Sequence, residues 1–380
     1  MIIIGGGPGG LSTALHLAKY HPEIARRTLV IEKARYPRVK LCAGGLVVDA
    51  EVILARLGLD TSEVPHVDAS EIHLDFEGKG LGLRVPNRHA LRIIRRDEFD
   101  DWLARNVQAR GVEILQGAAV RDIRPDAKGV TVVTEAGVFR AQVVVGADGS
   151  NGITRRCVFP QDPVSTARLL EIITPEPAPA SRAARHAGSA AYFDFFPVPE
   201  GIAGYTWDFP TQIHGERRRC WGVYDTNLLA HLPRPALKEP LAAEMKRQGF
   251  ELGDYEIKGH PIRWFEPQGP LAAPRVLLVG DAAGSDPLFG EGISIALGYG
   301  ALAAAEIGES FRRGDFSFQG YPQRVRDSSL GRSLFTRWFI AKVIYRMRWR
   351  WFQVLLWRVM KLAVLAGGWL LVVNWGRRLR

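Results

Sequence analysis

Cysteine is scarce in this chain of 380 residues: Cys42, Cys157 and Cys220 are odd in number and far apart. They form no CxxC pair, so the sequence supports neither a disulfide framework nor a zinc site. No metal is expected, and a reducing, cytoplasmic compartment fits best. Acidic residues are missing altogether after Asp327. Long apolar runs are missing too. The longest uncharged stretch near the C-terminus, 362–373, would reach about 18 Å as a helix, against a hydrocarbon core of about 30 Å. Extending it backwards brings in Lys361 and Arg358, each costly at a bilayer centre. The pattern argues against a membrane span. No internal repeat is present, and a composition of 47% hydrophobic and 24% charged residues excludes a disordered or collagen-like chain.

The formal net charge of +10 is unevenly placed. Residues 328–380 hold eleven cations and no acid, which leaves the rest of the chain close to neutral. A nucleic-acid partner for the whole protein is therefore not expected. The same stretch holds six of the ten tryptophans: Trp338, Trp349, Trp351, Trp357, Trp369 and Trp375. Cations, Trp and leucines together suit a segment at a membrane surface. The expectation is a basic, Trp-rich helical tail over 326–380, lying in plane on the inner face of a membrane. The alternative is ordinary packing on the body. The opening residues 1–4 read as a strand rather than a secretory leader.

Those residues lead into Gly5-Gly6-Gly7-Pro8-Gly9-Gly10, which fits G-x-G-x-x-G through Gly5, Gly7 and Gly10. Residues 11–20 follow with apolar positions at helical spacing. Residues 28–31 then form a second apolar strand ending at Glu32. Strand, glycine turn, helix, strand and acid together predict a dinucleotide site. Glycines let backbone approach a pyrophosphate, the helix N-terminus supplies positive dipole, and the acid accepts from ribose hydroxyls. Two more strand-then-glycine motifs lie further on. One is 143–150 with Asp148, and the other is 275–284 with Asp281, followed by Gly290-Glu291-Gly292-Ile293 and a helix over 294–307. No second G-x-G-x-x-G appears, so a dedicated nicotinamide domain is not expected.

Three such motifs over most of the chain resemble the glutathione-reductase-type FAD fold, in its aromatic-hydroxylase-like branch. The resemblance implies an α/β architecture: a Rossmann-like FAD domain of separated segments, 1–60, 85–156 and 265–325, and an α+β substrate domain with an antiparallel sheet, 61–84 and 157–264. It also implies roles. Gly5, Gly7, Pro8, Gly10, Glu32 and Lys33 would hold the ADP half of FAD, with Val120 beside adenine. Asp148 and Asp281 would contact the rest of the cofactor, Gly290, Gly292 and Ile293 would lie along the ring, and Arg96 would be the branch's FAD-contacting arginine.

Two local motifs narrow the chemistry. Lys40-Leu41-Cys42-Ala43-Gly44-Gly45 follows the loop after Glu32, and Tyr205-Thr206-Trp207-Asp208-Phe209-Pro210 alternates like a strand. Alternation puts Tyr205, Trp207 and Phe209 on one face, as an apolar wall. The pair is similar to the geranylgeranyl reductase family, marked by K-x-C-G-G-G and Y-x-W-x-F-P. Ala43 departs from it, placing a methyl where backbone approaches the flavin. The resemblance implies reduction of C=C bonds in a prenyl chain, on a quinone, a pigment or a lipid. NAD(P)H or a protein donor would supply the electrons. Cys42 and Tyr205 are the candidate proton donors, each alternatively a wall residue. Trp207, Phe209, Gly44 and Gly45 would line the substrate site. The competing expectations are an aromatic monooxygenase or halogenase on the same fold, and a non-catalytic prenyl carrier. A Pro/Ala-rich stretch, 174–181, is expected to be an exposed loop.

Overall fold

The computed structural model describes residues 1–163, 166–177, 189–229 and 235–379, without the side chains of Leu370 and Leu371. Half of the Pro/Ala-rich stretch, 178–181, and Arg380 fall outside these residues. Its first two residues are not loop: the strand Thr166–Pro175 runs through them, and Thr174 accepts a hydrogen bond from Trp221 Nε1 at 2.8 Å.

Short β-branched runs pair into a parallel sheet. Ile2–Ile4 lies between Leu29–Glu32 and Val144–Gly146, which in turn pairs with Val276–Leu278. Glu113–Gln116 closes one edge and the antiparallel Ala272–Ala273 the other. Ile3, Val30 and Val145 are fully buried, as expected of strands covered on both faces. The helix Pro8–Tyr20 begins earlier than predicted, with Pro8 in its first turn, where a missing N–H costs nothing. It packs against Ile293–Arg313, which outruns its predicted end and stops at Gly314 in the left-handed region. The two helices touch closely: Ser12 Oγ donates to Leu297 O at 2.8 Å, and a Cβ on Gly300 would come within 2.6 Å of Ser12.

A second, larger sheet runs Lys258–Gly259, Thr166–Pro175, Glu216–Asp225, Gly204–Ile213, Ala190–Asp194, Glu71–Phe76 and Lys79–Arg84. All its neighbours are antiparallel except Ala190–Asp194 with Glu71–Phe76. Register places Tyr205 opposite Tyr224, Trp207 opposite Gly222 and Phe209 opposite Cys220. Gly222 is required there, because any Cβ would overlap the Trp207 ring.

The tail folds back on both sheets. Ser329–Ile344 is followed by short helical pieces, Arg350–Val354, Lys361–Gly367 and Trp375–Arg378, joined by wider π-type turns. Arg337 donates to Asp286 Oδ2 at 2.7 Å and to Val372 O at 2.8 Å. Asp49 accepts from the amides of Asn374 and Gly376 at 3.0 and 2.8 Å. Trp357 stacks on Phe195 at 4.0 Å, and Trp375 is fully buried against Gly298. Among the described residues no helix is long and apolar enough to cross a membrane.

Candidate active site

At the first glycine turn, conformation and space both demand glycine. Gly5 has φ +104°, and a Cβ there would overlap the Ala147 carbonyl. Gly10 works differently from its neighbours. It does not reach the cavity; its bare Cα lets the helix sit on Gly5, Ile3 and Ala147. Gly7 caps the helix without a side chain, and the first turn carries no acid. The space beside Gly7 ends at the guanidinium tips of Arg38 and Arg96, at 3.7 and 3.9 Å from a notional Cβ. Free helix amides, the helix dipole and two cations make a cradle for a pyrophosphate.

Glu32 stands at the end of its strand, accepting from the Gly6 amide at 2.7 Å and the Ala34 amide at 3.0 Å. Each oxygen keeps a lone pair for a ribose hydroxyl. Arg96 opens the helix Arg96–Ala109 and grips Asp100 in two bonds of 2.8 Å. Burial opposes its charge, and Asp100 holds it protonated. Asp148 accepts from the Thr154 amide and hydroxyl at 2.8 and 3.0 Å, while its other oxygen has no partner among the described residues. Burial raises its carboxyl above the ordinary range. Asp281 accepts from Ser285 Oγ at 2.8 Å, and a Cβ on Gly292 would come within 3.5 Å of it. Lys40 Nζ and His260 Nε2 are 2.6 Å apart. Burial and then the Lys40 charge lower His260 to about 4, so its ring is neutral and accepts.

These groups open into one cavity of about 1200 Å³. That exceeds the roughly 300–1,000 Å³ of most single-ligand sites, so it has room for a cofactor and a second molecule. Its glycine end carries Glu32, Lys33, Arg38, Lys40, Arg96, Asp148 and Asp281, with Val120 on the flank. The far end is walled by Phe193, Trp207, Phe209, Leu288, Phe289 and Trp357, with Ile340, Ile344 and Val364 of the tail as ceiling. The Cys42 loop sits between. Gly44 has φ +79°, and a Cβ on it would overlap the Ile94 carbonyl; one on Gly45 would lie 3.6 Å from Phe209. Ala43 takes no left-handed conformation, so its methyl leaves the turn intact. Gly290 does, with φ +65°, and lies against the Tyr224 ring.

The aromatic face read from alternation is present: Phe193 contacts Tyr205 and Phe209 at 5.1 and 5.0 Å, and Tyr205 lies 6.4 Å from Trp207. The Tyr205 hydroxyl donates to the Phe289 carbonyl. Burial keeps that phenol far above its ordinary range. Its proton is thus engaged by that carbonyl, and the ring forms part of the cavity wall. Cys42 Sγ accepts from the Gly44 amide at 3.4 Å. It is partly buried and lines the cavity, and burial raises its thiol above the ordinary range.

Sequence reading missed Glu171, Arg38, His260, Arg337 and the tail's ceiling residues. Glu171 carried a signal, being a carboxylate inside the otherwise apolar run 169–173. Burial raises it to about 7, against the pull of Arg95, the Cys220 thiol, the Cys42 amide and Lys258.

A family model described as an FAD binding domain matches residues 1–298. The menaquinone reductase of Mycolicibacterium smegmatis is 29% identical over 80% of this chain and 75% of its own. A digeranylgeranylglycerophospholipid reductase of Thermoplasma volcanium is 28% identical over 86% and 83%. A geranylgeranyl bacteriochlorophyll reductase-like structure from Thermoplasma acidophilum superposes with a TM-score of 0.78 over 99% of this chain and 97% of that one, at 20% identity. A halogenase shares the fold at a TM-score of 0.71 and 16% identity, over 97% and 80%.

Proposed function

The chain belongs to the FAD-binding-domain family, and on that premise we propose that it is a reductase of the geranylgeranyl reductase type, saturating C=C bonds of a prenyl chain. One observation carries this reading: a polar, glycine-edged cradle and an aromatic and aliphatic chamber form a single cavity, with the Cys42 loop at their junction. The names of the relatives support the same chemistry. When bound, FAD would supply the hydride.

The chain's own residues do the rest. Gly5, Gly7 and the first turn of Pro8–Tyr20, with Arg38 and Arg96, hold the pyrophosphate, and Glu32 holds the ribose. Asp281 and the Gly290–Ile293 backbone orient the ring end. The aromatic wall excludes water and fixes an uncharged chain by shape. Burying that chain offers about 0.8 kcal/mol per CH₂, or on the order of 16 kcal/mol for twenty carbons. Much of this only offsets leaving a lipid phase. An isolated alkene is a poor hydride acceptor, so holding it within about 3–3.5 Å of the donor supplies much of the catalysis. The raised thiol keeps a proton on Cys42 Sγ at neutral pH, facing the cavity.

A lipid substrate also accounts for the tail. Ten of the thirteen exposed large hydrophobic side chains among the described residues lie between Phe335 and Trp369, on the segment that roofs the chamber. Cations surround them, and Lys342 sits 3.7 Å over the Trp338 ring. We therefore read this surface as the face that meets an anionic bilayer.

The test is anaerobic incubation of the dithionite-reduced holoenzyme with prenylated quinones, pigments and lipids, read by mass spectrometry. A gain of two hydrogens per event on one of them supports the reading. Oxygen-dependent NAD(P)H consumption stimulated by an aromatic compound, with no prenyl product, would replace it with hydroxylation or halogenation.

A further inference from the structure

Glu171 is the buried carboxyl that the reductase reading leaves unused. It lies mid-strand in Thr166–Pro175, opposite Gly222 on one side and Lys258 on the other. It is 4% exposed, yet it lines the cavity together with Cys42 and Trp207. One carboxylate oxygen, Oε2, has no hydrogen-bond partner among the described residues. A sheet strand has no structural need for such a group, and burying it unpaired is costly unless it carries a proton.

The charged and titratable groups facing it come from four elements. Cys42 turns its backbone amide to the carboxyl from the glycine loop, and Cys220 its thiol from the neighbouring strand. Arg95 approaches from the start of the helix Arg96–Ala109, and Lys258 from the edge strand. Cys42 in turn faces Arg96, and the negative charge of Glu171 is among the causes that keep its thiol protonated. The two acids are therefore coupled, each making ionisation of the other harder.

We propose that Glu171 is the acid that recharges Cys42 in each turnover. The inference rests on the prenyl-reductase reading and deepens it. As hydride adds to one alkene carbon, the Cys42 S–H bond breaks and a C–H bond forms at the other carbon. The Glu171 O–H bond then breaks and S–H re-forms, and the carboxylate takes a proton from water at the Lys258 edge. Two hydrogens are added in total, the electron pair coming from the reduced flavin. Glu171 acts through Cys42 and is a positioning residue, not one that touches substrate. A carboxyl that titrates close to working pH suits such a shuttle.

The test compares wild type with Glu171→Gln and Glu171→Asp, each as FAD-loaded protein with its thermal melt and flavin content checked. Without substrate, iodoacetamide alkylation of Cys42 is followed against pH and mapped by peptide mass. Removing the carboxylate should move the Cys42 profile to lower pH in Glu171→Gln, and Glu171→Asp should restore much of the wild-type profile. With reduced enzyme and geranylgeraniol in micelles, wild-type kcat should fall above about pH 7, where a proton-holding acid is lost. Glu171→Gln should be at least tenfold slower, without that break. An unchanged alkylation profile, or a wild-type pH–rate profile in Glu171→Gln, overturns the relay. A wild-type enzyme that saturates no prenyl bond overturns instead the reading beneath it.

Discussion

Gly44 and Glu171 show two ways in which one residue governs this cavity. Gly44 is held at φ +79° against the Ile94 carbonyl, so Gly44→Ala must shift the loop that carries Cys42. We expect a loss of about 1–3 kcal/mol and altered flavin fluorescence, measured by denaturant melts and emission spectra of the loaded protein. Glu171 acts through its proton. Its folded-state value is raised to about 7 from an ordinary 4.5, so the native state binds the proton more tightly than the unfolded chain. Stability is then fullest below about pH 4.5 and declines as pH climbs towards 7, by about 3 kcal/mol at most. Glu171→Gln should abolish that decline in urea melts taken from pH 5 to 8; a decline equal to wild type would sink the assignment. The two residues also differ in legibility. Gly44 belongs to a contiguous motif and could be read directly. Glu171 takes its meaning from Cys42, Cys220, Arg95 and Lys258, which only the folded sheet assembles.

Among elements, the helix Ser329–Ile344 ties the tail to the cavity. Arg337 from this helix is buried between Asp286 and Glu291, at 2.7 and 3.4 Å, beside the turn that edges the flavin end. Arg337→Ala would leave two buried carboxylates without their cation, at a cost of about 3–5 kcal/mol. Chemical denaturation should show that loss, and a charge-neutral repair at Asp286 and Glu291 should recover part of it. Local patterning predicted the glycine-to-helix unit and the aromatic strand well, because period and neighbours define both. It left the tail open between packing and membrane contact, because the acids that receive Arg337 and the Asn374 amide lie 51 and 325 residues upstream, beyond the reach of local pattern. The outward side of the tail is a separate question of surface chemistry. Trp349 and Trp351, 60% and 63% exposed and stacked at 6.1 Å, touch little of the body. Replacing both with Ala should leave the melting temperature within a degree or two yet reduce sedimentation with anionic vesicles severalfold. Equal sedimentation would remove the tail as the membrane-facing surface.

At the scale of the whole molecule, one cavity joins a glycine-edged, charged part to an aromatic one. The cavity runs from cations and glycine backbone to aromatic rings, and the ceiling over its greasy end is the same segment that exposes most of the surface hydrophobes. On the prenyl-reductase reading, a lipid-soluble chain passes beneath the roof without crossing bulk water. The ceiling is also secured late in the chain: Arg56 donates to the carbonyls of Arg377 and Leu379, both at 2.6 Å. During synthesis the cradle's segments therefore emerge well before their cover. A nascent chain can take up its nucleotide while the hydrophobic hall still stands open, and the segment after residue 325 shuts it. Ribosome-stalled chains ending near residue 325 should accordingly be yellow but sticky, trapped by chaperones until the lid arrives.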